Sequence, residues 1–153
     1  MISTQWIMGI SGEELAEVHA IRYAVFCKEQ QVDPSIERDD LDSSAIHLLV
    51  YFNDIPAATG RLLLMNDKCI IGRVAVLPRF RRIYLGDLVV RMLIRMAYSI
   101  GENQQWVHSQ VAVQGFYEKL GFKPQGDVYE EAGIAHIKMM HEGDIYGECK
   151  HYG

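Results

Sequence analysis

The chain has 153 residues, of which 49% are hydrophobic and 23% charged, a balance typical of one globular domain. Its 15 Lys and Arg residues are outnumbered by 20 Asp and Glu residues, and the formal net charge of -5 argues against a nucleic-acid-binding protein. No apolar run is long enough to span a membrane, and the N-terminus lacks a signal-peptide pattern. We therefore expect no nucleic-acid partner, no membrane partner and a cytoplasmic location.

The three cysteines, Cys27, Cys69 and Cys149, are far apart in the sequence and lack the spacing of metal ligands. An odd number of scattered cysteines also argues against a disulfide framework. We expect reduced thiols and no metal site. The domain is expected to cover residues 1–142, with a polar tail over residues 143–153 that could be disordered or cover the strand edge of a second copy in a homodimer.

The first half of the chain predicts a helix followed by three strands. The capping box Ser11-Gly12-Glu13-Glu14 begins a helix over about 12–27, in which apolar residues recur at helical spacing. The pairs Asn53-Asp54 and Asn66-Asp67 favour tight turns between strand-like runs. These runs cover residues 47–52, 56–65 and 69–76, and together they predict an antiparallel meander.

The second half alternates helix and strand. An amphipathic helix over 86–100 is expected to bury Val89, Leu93, Met96 and Ile100, and Gly101 suits its C-terminal cap. A strand over 106–111, a short helix over 112–120 that ends at Gly121, and a strand over 133–140 follow. This order predicts an α+β (mixed α/β) domain with its ligand at the carboxyl end of the central strand.

A turn rich in arginine, residues 78–86, joins the third strand of the meander to the amphipathic helix. The first amides of a helix have no intrahelical partner and carry the positive end of the helix dipole, so they bind anions. Arg79, Arg81 and Arg82 add positive charge beside them. Such a run is often only a solvated charged face, but on an acidic protein this local basic turn better suits a small phosphorylated ligand.

Several motifs carry a specific resemblance. The segment Pro78-x-Phe80-Arg81-x-x-Tyr84-x-Gly86 resembles the acyl-CoA signature Arg/Gln-x-x-Gly-x-Gly/Ala of the GNAT superfamily of N-acetyltransferases. The run Phe116-Tyr117-Glu118-Lys119-Leu120-Gly121-Phe122 is similar to the second signature of that family. Arg22-x-x-Val25-Phe26-x-x-Glu29-Gln30, the acidic Glu37-x-Asp39-Asp40-x-Asp42, His47 and His136-Ile137-x-Met139 resemble its ElaA-like branch. The resemblance implies a central, mostly antiparallel, splayed sheet flanked by helices.

The resemblance also implies acetyl-CoA as the co-substrate. In the family, the amides of the turn bind the pyrophosphate and the edge of the preceding strand binds the pantetheine arm. The corresponding residues here are Val74, Ala75, Val76, Arg81, Arg82, Ile83, Tyr84, Leu85, Gly86 and Asp87. Asp87 is included for its backbone amide alone, because its carboxylate would repel a phosphate. Tyr84 stands where the family has a glycine that lets phosphate approach the backbone.

The implied reaction is direct acyl transfer from a thioester to a primary amine. By resemblance, the amide of Val76 or a neighbour polarises the thioester carbonyl, and Tyr117 donates a proton to the leaving sulfur. Glu29 is the first candidate for orienting or deprotonating the ammonium group, with His136, His108 and His47 as alternatives. The six carboxylates between positions 29 and 42 could attract a cationic amine.

Three functions therefore compete on the sequence. The leading one is an acetyl-CoA-dependent N-acetyltransferase that acts on a small-molecule amine, an amino sugar or an exposed protein amine. A second is a noncatalytic acyl-CoA-binding module, because Tyr84 departs from the signature. A third is an enzyme like the acyl-homoserine-lactone synthases, which the Arg22 motif and the acidic cluster resemble. The short length and negative charge of the chain argue against that third function.

Overall fold

A computed structural model describes residues 1–8 and 12–145, with only the backbone given for residues 12–14. Four α-helices, α1 (Gly12–Arg22), α2 (Pro34–Glu37), α3 (Leu85–Ser99) and α4 (Gln114–Lys119), flank one sheet in this part of the chain. The strands of the sheet are β1 (Ile2–Met8), β2 (Ile46–Phe52), β3 (Ile55–Met65), β4 (Lys68–Val76), β5 (Gln104–Gln110), β6 (Lys123–Glu131) and β7 (Ile134–Glu142).

The sheet is mixed, with the strand order β1-β2-β3-β4-β5-β7-β6. Its pairs are antiparallel except for the central pair of β4 and β5, which is parallel. The predicted α+β class and mostly antiparallel sheet are therefore confirmed. Among the described residues, no helix is both long enough and apolar enough to cross a membrane.

The predicted meander is confirmed as β2, β3 and β4. Both of its connections are two-residue turns in which each residue has positive φ, at 49° and 65° for Asn53 and Asp54 and at 53° and 60° for Asn66 and Asp67. Asn and Asp tolerate this left-handed conformation, which the tight hairpin turn requires at both central positions. The two turns thus set the register of the three strands.

The predicted first helix is longer than expected and changes type. It begins with α1 and continues as a π-helical turn over Tyr23–Glu29, which carries the chain to the mouth of a cleft described below. π-Helical turns often occur at functional sites because they re-aim the side chains that follow. The capping box, Cys149 and the tail after residue 145 lie wholly or partly outside the described residues.

Helix α3 packs its apolar face across β3 and β4. The fully buried side chains of this helix are Leu85, Val89, Val90, Leu93, Ile94 and Ala97. The expectation that Ile100 is buried was wrong: its side chain is 45% exposed. The helix ends at Ser99, and Gly101 at φ 94° turns the chain away, so Ile100 leaves the buried face.

The closest approach of α3 to the sheet is at Gly60 on β3. A Cβ added at Gly60 would lie 2.6 Å from Val89 Cγ1 and 2.8 Å from Leu93 Cδ1. Because core packing leaves no space for an extra methyl group, Gly60→Ala is expected to destabilise the protein by about 1–3 kcal/mol. Urea denaturation followed by circular dichroism measures this loss. Gly115→Ala is the control, since a Cβ there meets nothing within 4 Å, and equal stability of the two variants would contradict the prediction.

Strands β4 and β5 pair over a short length and then diverge. Their parallel pairing covers only Cys69, Ile70 and Ile71 on β4. Directly afterwards, the pairing of β4 with β3 is irregular at Arg73 and Val74, and Arg73 has a φ of 51°. Such a bulge bends its strand and re-aims side chains. The bend opens the sheet at its centre, and this opening positions the site.

Candidate active site

The opening between β4 and β5 forms a cleft of about 550 Å³. Arg73 and Val74 line it from β4, and His108, Ser109 and Gln110 line it from β5. Tyr117 on α4 and His136 on β7 also line the cleft, and so do residues of the segment between α1 and β2. The cleft is large enough for a small ligand and combines apolar walls with a few polar groups, as binding sites commonly do.

The end of β4 carries the first predicted group of binding residues, Val74, Ala75 and Val76, of which Val74 lines the cleft. On its other side this stretch pairs with β3, where Ala75 lies opposite Thr59 and Val76 opposite Ala58. Among the described residues, pairing with β5 stops at Ile71, so the cleft side of this stretch has no neighbouring strand. An extended chain can add to such an edge through backbone hydrogen bonds.

The turn after β4 carries the second predicted group of binding residues. Within the described part of the chain, no protein acceptor is found for the backbone amides of Arg82, Ile83, Leu85 and Gly86. The first intrahelical hydrogen bond of α3 runs from the amide of Leu88 to the carbonyl of Tyr84, at 3.0 Å. Leu85 and Gly86 begin the first turn of a 15-residue helix, and Arg82 and Ile83 lie just before it, so these amides can bind an anion such as a diphosphate.

Tyr84 occupies the position of the family glycine and keeps the conformation that a glycine favours. Its φ of 64° and ψ of 24° lie in the left-handed region, and its side chain is 43% exposed. The left-handed region costs a residue with a Cβ about 1–2 kcal/mol. Nearly half of the residue is exposed, and its backbone has the left-handed conformation that glycine adopts most readily.

Gly86 is a glycine that the protein's own packing does not require. A Cβ added there would lie 3.6 Å from Phe116 Cζ and 3.7 Å from Val76 Cγ2, which are ordinary contacts. A bound phosphate that approaches the backbone at this point would explain the missing side chain. The carboxylate of Asp87, one residue on, accepts a hydrogen bond of 2.9 Å from Arg91, whose positive charge offsets the repulsion expected between Asp87 and a phosphate.

Arg81 and Glu29, predicted to have separate roles, form one ion pair. Both terminal nitrogens of Arg81 donate to the Glu29 carboxylate, at 2.6 and 2.7 Å, and Nε donates to the carbonyl of Val76 at 3.0 Å. The hydrogen bond from Arg81 lowers the pKa of Glu29, which makes this carboxylate a weaker base. Glu29 also lies outside the lining of the cleft. Glu29 is therefore poorly suited to act as the base.

Tyr117 is held in the wall of the cleft by aromatic neighbours. Its ring packs edge-on against Phe116 at 5.0 Å and Phe122 at 5.5 Å. Phe122 folds back against the helix, because Gly121 at φ 96° ends α4 and the Phe122 amide donates to the Tyr117 carbonyl at 3.1 Å. Burial raises the pKa of Tyr117 to about 12, so its hydroxyl stays protonated at neutral pH.

The three candidate histidines differ in access to the cleft. His47 is fully buried away from it, and its Nε2 lies 2.9 Å from the carbonyl oxygen of Asp42, which is a structural role. His108 and His136 both line the cleft. Burial lowers the pKa of His108, so that ring is neutral at physiological pH.

Three carboxylates of the acidic segment pair with arginines from other parts of the sequence. Arg22 donates to Glu37 and, at 2.8 Å, to Asp42, and Arg61 donates to Asp42 at 2.9 Å and to Asp39 at 2.8 Å. Arg73 donates to Asp39 at 3.2 Å. We call these six side chains, Arg22, Glu37, Asp39, Asp42, Arg61 and Arg73, the ion cluster. It balances three positive against three negative charges, so three of the six carboxylates of the segment do not contribute to a free anionic patch.

The comparisons with known proteins agree with this geometry. The family model described as an acetyltransferase (GNAT) domain matches residues 10–142. The chain belongs to the GNAT acetyltransferase family. It is 33% identical to protein ElaA of Escherichia coli (strain K12) over 138 residues, which are 87% of this chain and 90% of that one. It is also 31% identical to a putative acetyltransferase of Bacillus subtilis (strain 168) over 137 residues, 88% of this chain and 93% of the relative.

Solved structures of family members share the fold. The crystal structure of E. coli ElaA matches with a TM-score of 0.83 at 30% identity, covering 93% of this chain and all of that one. An acyl-CoA N-acyltransferase from Pseudomonas aeruginosa matches with a TM-score of 0.82 at 26% identity, covering 92% and 99% of the two chains. The predicted resemblance to the family and to its ElaA-like branch is confirmed, and the chain is an acyltransferase by family.

Proposed function

We propose that this acyltransferase transfers an acetyl group from acetyl-CoA to a primary amine of a small molecule by direct attack. The observation that carries the proposal is that, in the described part of the chain, turn amides without a protein acceptor directly follow a stretch of β4 whose side facing β5 has no neighbouring strand. An acyl-CoA needs both, because its pyrophosphate is an anion and its pantetheine arm is an extended amide chain. The dispersed cysteines are consistent with a cytoplasmic protein, which we include in the proposal.

The turn would hold the pyrophosphate through the backbone amides of residues 82–87. The β4 edge at residues 74–76 would hold the pantetheine arm by β-like hydrogen bonds. Backbone atoms would make both sets of contacts, so the side chains at these positions need no special chemistry. A GNAT family acetyltransferase from Elizabethkingia anophelis, with a TM-score of 0.67 at 14% identity over 92% of this chain and 97% of that one, was solved with acetyl-CoA bound. That protein supports the choice of acyl donor.

The ion pair of Arg81 with Glu29 has a supporting role in this proposal. Arg81 contacts the carbonyl of Val76 and therefore fixes the end of β4, whose amides would polarise the thioester carbonyl. Its guanidinium is engaged by Glu29, so the backbone, rather than the Arg81 side chain, would supply the main contacts to phosphate. Glu29 would therefore act indirectly, because it holds Arg81 and Arg81 in turn holds the end of β4.

Tyr117 is the proposed proton donor to sulfur. It lines the cleft beside the open edge of β4, and its raised pKa keeps the hydroxyl protonated. An alkyl thiol has an ordinary pKa of about 8.5, so a bare thiolate in water is a weaker base than this tyrosinate. A thiolate formed beside the buried Tyr117 ring would be less well solvated than in water, which would raise its basicity and favour proton transfer from the phenol.

A noncatalytic acyl-CoA-binding module is the alternative. Tyr84 suggests this function, because a tyrosine side chain in place of glycine could fill the phosphate-binding turn. Its left-handed backbone and exposed ring support a functional turn, and the presence of Tyr117 in the cleft wall favours a catalyst. The two functions differ in whether the thioester is consumed.

The experiment that tests the proposal is a thiol-release assay with acetyl-CoA over a panel of amines, amino sugars and amino acids. We expect release of free CoA that depends on one class of primary amine, and mass spectrometry should show a product heavier by one acetyl group. Acetyl-CoA that binds by calorimetry without release against any amine would instead support the binding module. Absence of binding at millimolar acetyl-CoA would contradict both functions.

Gly86→Ala separates ligand binding from folding. Alanine in the first turn of α3 makes only ordinary contacts with Phe116 and Val76, and it favours the helix by about 0.5–1 kcal/mol over glycine. We therefore expect unchanged or higher stability, together with an acetyl-CoA affinity reduced by about tenfold because the methyl group keeps phosphate from the backbone. Isothermal titration calorimetry measures the affinity.

The control for this variant is Gly115→Ala, a second helical glycine with open space around it. It should leave the acetyl-CoA affinity within twofold of the wild type. If Gly86→Ala binds acetyl-CoA as tightly as the wild type, the phosphate does not approach the backbone at Gly86.

A further inference from the structure

Acyl transfer to an amine requires a group that removes a proton from the ammonium form of the acceptor. The inference about this group rests on the proposed function. Glu29 is unsuited because it is paired with Arg81 outside the cleft. The proton acceptor must therefore come from the titratable groups that line the cleft itself.

The ring of His136 has a defined tautomer. His136 lies on β7 between β5 and β6, opposite Gln110 and Tyr129. Its Nδ1 is 2.7 Å from the carbonyl oxygen of Ile134. A carbonyl oxygen only accepts hydrogen bonds, so Nδ1 carries the hydrogen in this contact. The neutral ring therefore has its basic lone pair on Nε2.

The position of Nε2 suits a proton acceptor. It is 3.7 Å from Oε2 of Glu131, and both residues line the cleft. Among the described residues, the only side-chain nitrogen or oxygen atoms both enclosed and without a hydrogen bond are His47 Nδ1 and the Tyr129 hydroxyl. No hydrogen-bond partner is found for Nε2 of His136 in this part of the chain, so this nitrogen is not fully enclosed, and the residue lines the cleft.

The other histidines fit the role less well. His47 is enclosed and has no access to the cleft. His108 lines the cleft, but no backbone acceptor fixes its tautomer among the described residues, and its ring meets Tyr129 edge-on at 6.4 Å. A carboxylate within 4 Å of the ring distinguishes His136 from His108.

We propose that Nε2 of His136 is the general base that accepts a proton from the ammonium group of the acceptor, with Glu131 stabilising the imidazolium that forms. The neutral amine nitrogen then attacks the thioester carbonyl carbon, the N–C bond forms and the C–S bond breaks. The sulfur takes a proton from the Tyr117 hydroxyl, and the nitrogen gives up its second proton to the tyrosinate. His136 later releases its proton to water, so one ammonium and one thioester yield one amide, one thiol and one proton.

The ionisable side chains nearest His136 come from three strands. They are Glu131 on β6, Lys138 on β7 and His108 on β5. On the opposite wall, Arg73 and Asp39 form an ion pair and largely offset each other. We expect an acidic limb in the pH profile of kcat/KM that reports the protonation of His136.

His136→Asn tests the proposal, because asparagine keeps a side-chain amide at the position of Nδ1. The hydrogen bond to the Ile134 carbonyl can therefore remain, while the basic Nε2 is lost. We expect kcat to fall by about 100-fold, acetyl-CoA affinity to stay within twofold, and the acidic limb to disappear. Added imidazole should restore part of the activity. Tyr129→Phe, which removes only an enclosed and unpaired hydroxyl on the same wall, should retain kcat within twofold.

Two results would overturn the role of His136. One is an active wild-type enzyme whose His136→Asn variant retains kcat and the acidic limb. The other needs no substrate: nitrogen NMR of the histidine rings in the ligand-free protein should show His136 in the Nδ1–H form, and an Nε2–H form would contradict the proposal. By contrast, a wild type that consumes no thioester with any amine would contradict the proposed function, whichever tautomer NMR finds.

Discussion

We expect Tyr117→Phe to lower kcat by about 100-fold to 1000-fold while the affinity for acetyl-CoA stays within twofold of the wild type. The phenylalanine ring can keep both edge-on contacts, with Phe116 and Phe122, so the wall of the cleft retains its shape. Only the hydroxyl is lost, and with it the proton for the leaving sulfur. Steady-state thiol release measures kcat, and calorimetry measures the affinity.

The matched control for Tyr117→Phe is an acyl donor whose leaving group needs no proton. An acetylated aromatic thiol leaves as a stable thiolate, so the variant should lose much less activity with that donor than with acetyl-CoA. Equal losses with the two donors would mean that Tyr117 shapes the cleft rather than donating a proton. Unchanged turnover with acetyl-CoA would remove Tyr117 from the mechanism.

Arg22→Ala is expected to cause the largest loss of stability, about 3–5 kcal/mol in the free energy of unfolding. The Arg22 side chain is fully buried and donates to the side chain and carbonyl of Glu37 and to Asp42. Removing it leaves two buried carboxylates with too few donors, and this uncompensated burial causes most of the loss. Urea denaturation followed by circular dichroism measures the change.

Two further variants separate this effect from a general loss of charge. Arg95→Ala removes an arginine whose side chain is 69% exposed and whose Nε lies 3.8 Å from Asp144 Oδ1, beyond hydrogen-bond distance. This variant should therefore change the free energy of unfolding by less than about 0.5 kcal/mol. Arg22→Lys keeps the charge, but a single ammonium cannot replace the fork of donors, and we expect an intermediate loss. Arg22→Ala with wild-type stability would show that the ion cluster contributes nothing net.

The ion cluster also makes stability depend on acid. Burial alone would raise the pKa of Asp42, but hydrogen bonds from Arg22 and Arg61 outweigh it and hold that pKa well below its usual range. Below the unfolded pKa of about 3.9, the unfolded chain binds more protons than the folded one. The contribution of Asp42 is therefore present above about pH 4 and is lost as the pH falls further. In Arg22→Ala this acid dependence should be weaker.

Strands β1 and β6 could not be predicted, because each carries little apolar alternation. Eight of the nine residues of β6 (Lys123–Glu131) and four of the seven residues of β1 face solvent. A strand is recognisable in sequence when one face is buried, and these two edge strands form because a neighbour offers its backbone. By contrast, β2, β3 and β4 bury long apolar runs and were predicted within one residue of their ends.

The candidate site was predictable where its chemistry is local. The anion-binding turn is a short stretch at a helix start, and its motif could be recognised together with the run that contains Tyr117. The pairing of Arg81 with Glu29 could not be predicted, because 52 residues separate the two partners. The role of Glu131 beside His136 has only a weak signal, a carboxylate before a hairpin turn.

The sequence by itself determined the meander, the long amphipathic helix, the arginine turn and the family to which the chain belongs. Each of these depends on residues close together in the chain, where periodicity and turn chemistry act directly. Only the tertiary structure decided which charges meet. It brought Arg22, Arg61 and Arg73 onto the acidic segment, placed Glu29 outside the lining of the cleft, and placed His136 within that lining. Burial and partner geometry set the chemistry of a charged side chain, and both arise from contacts between distant parts of the chain.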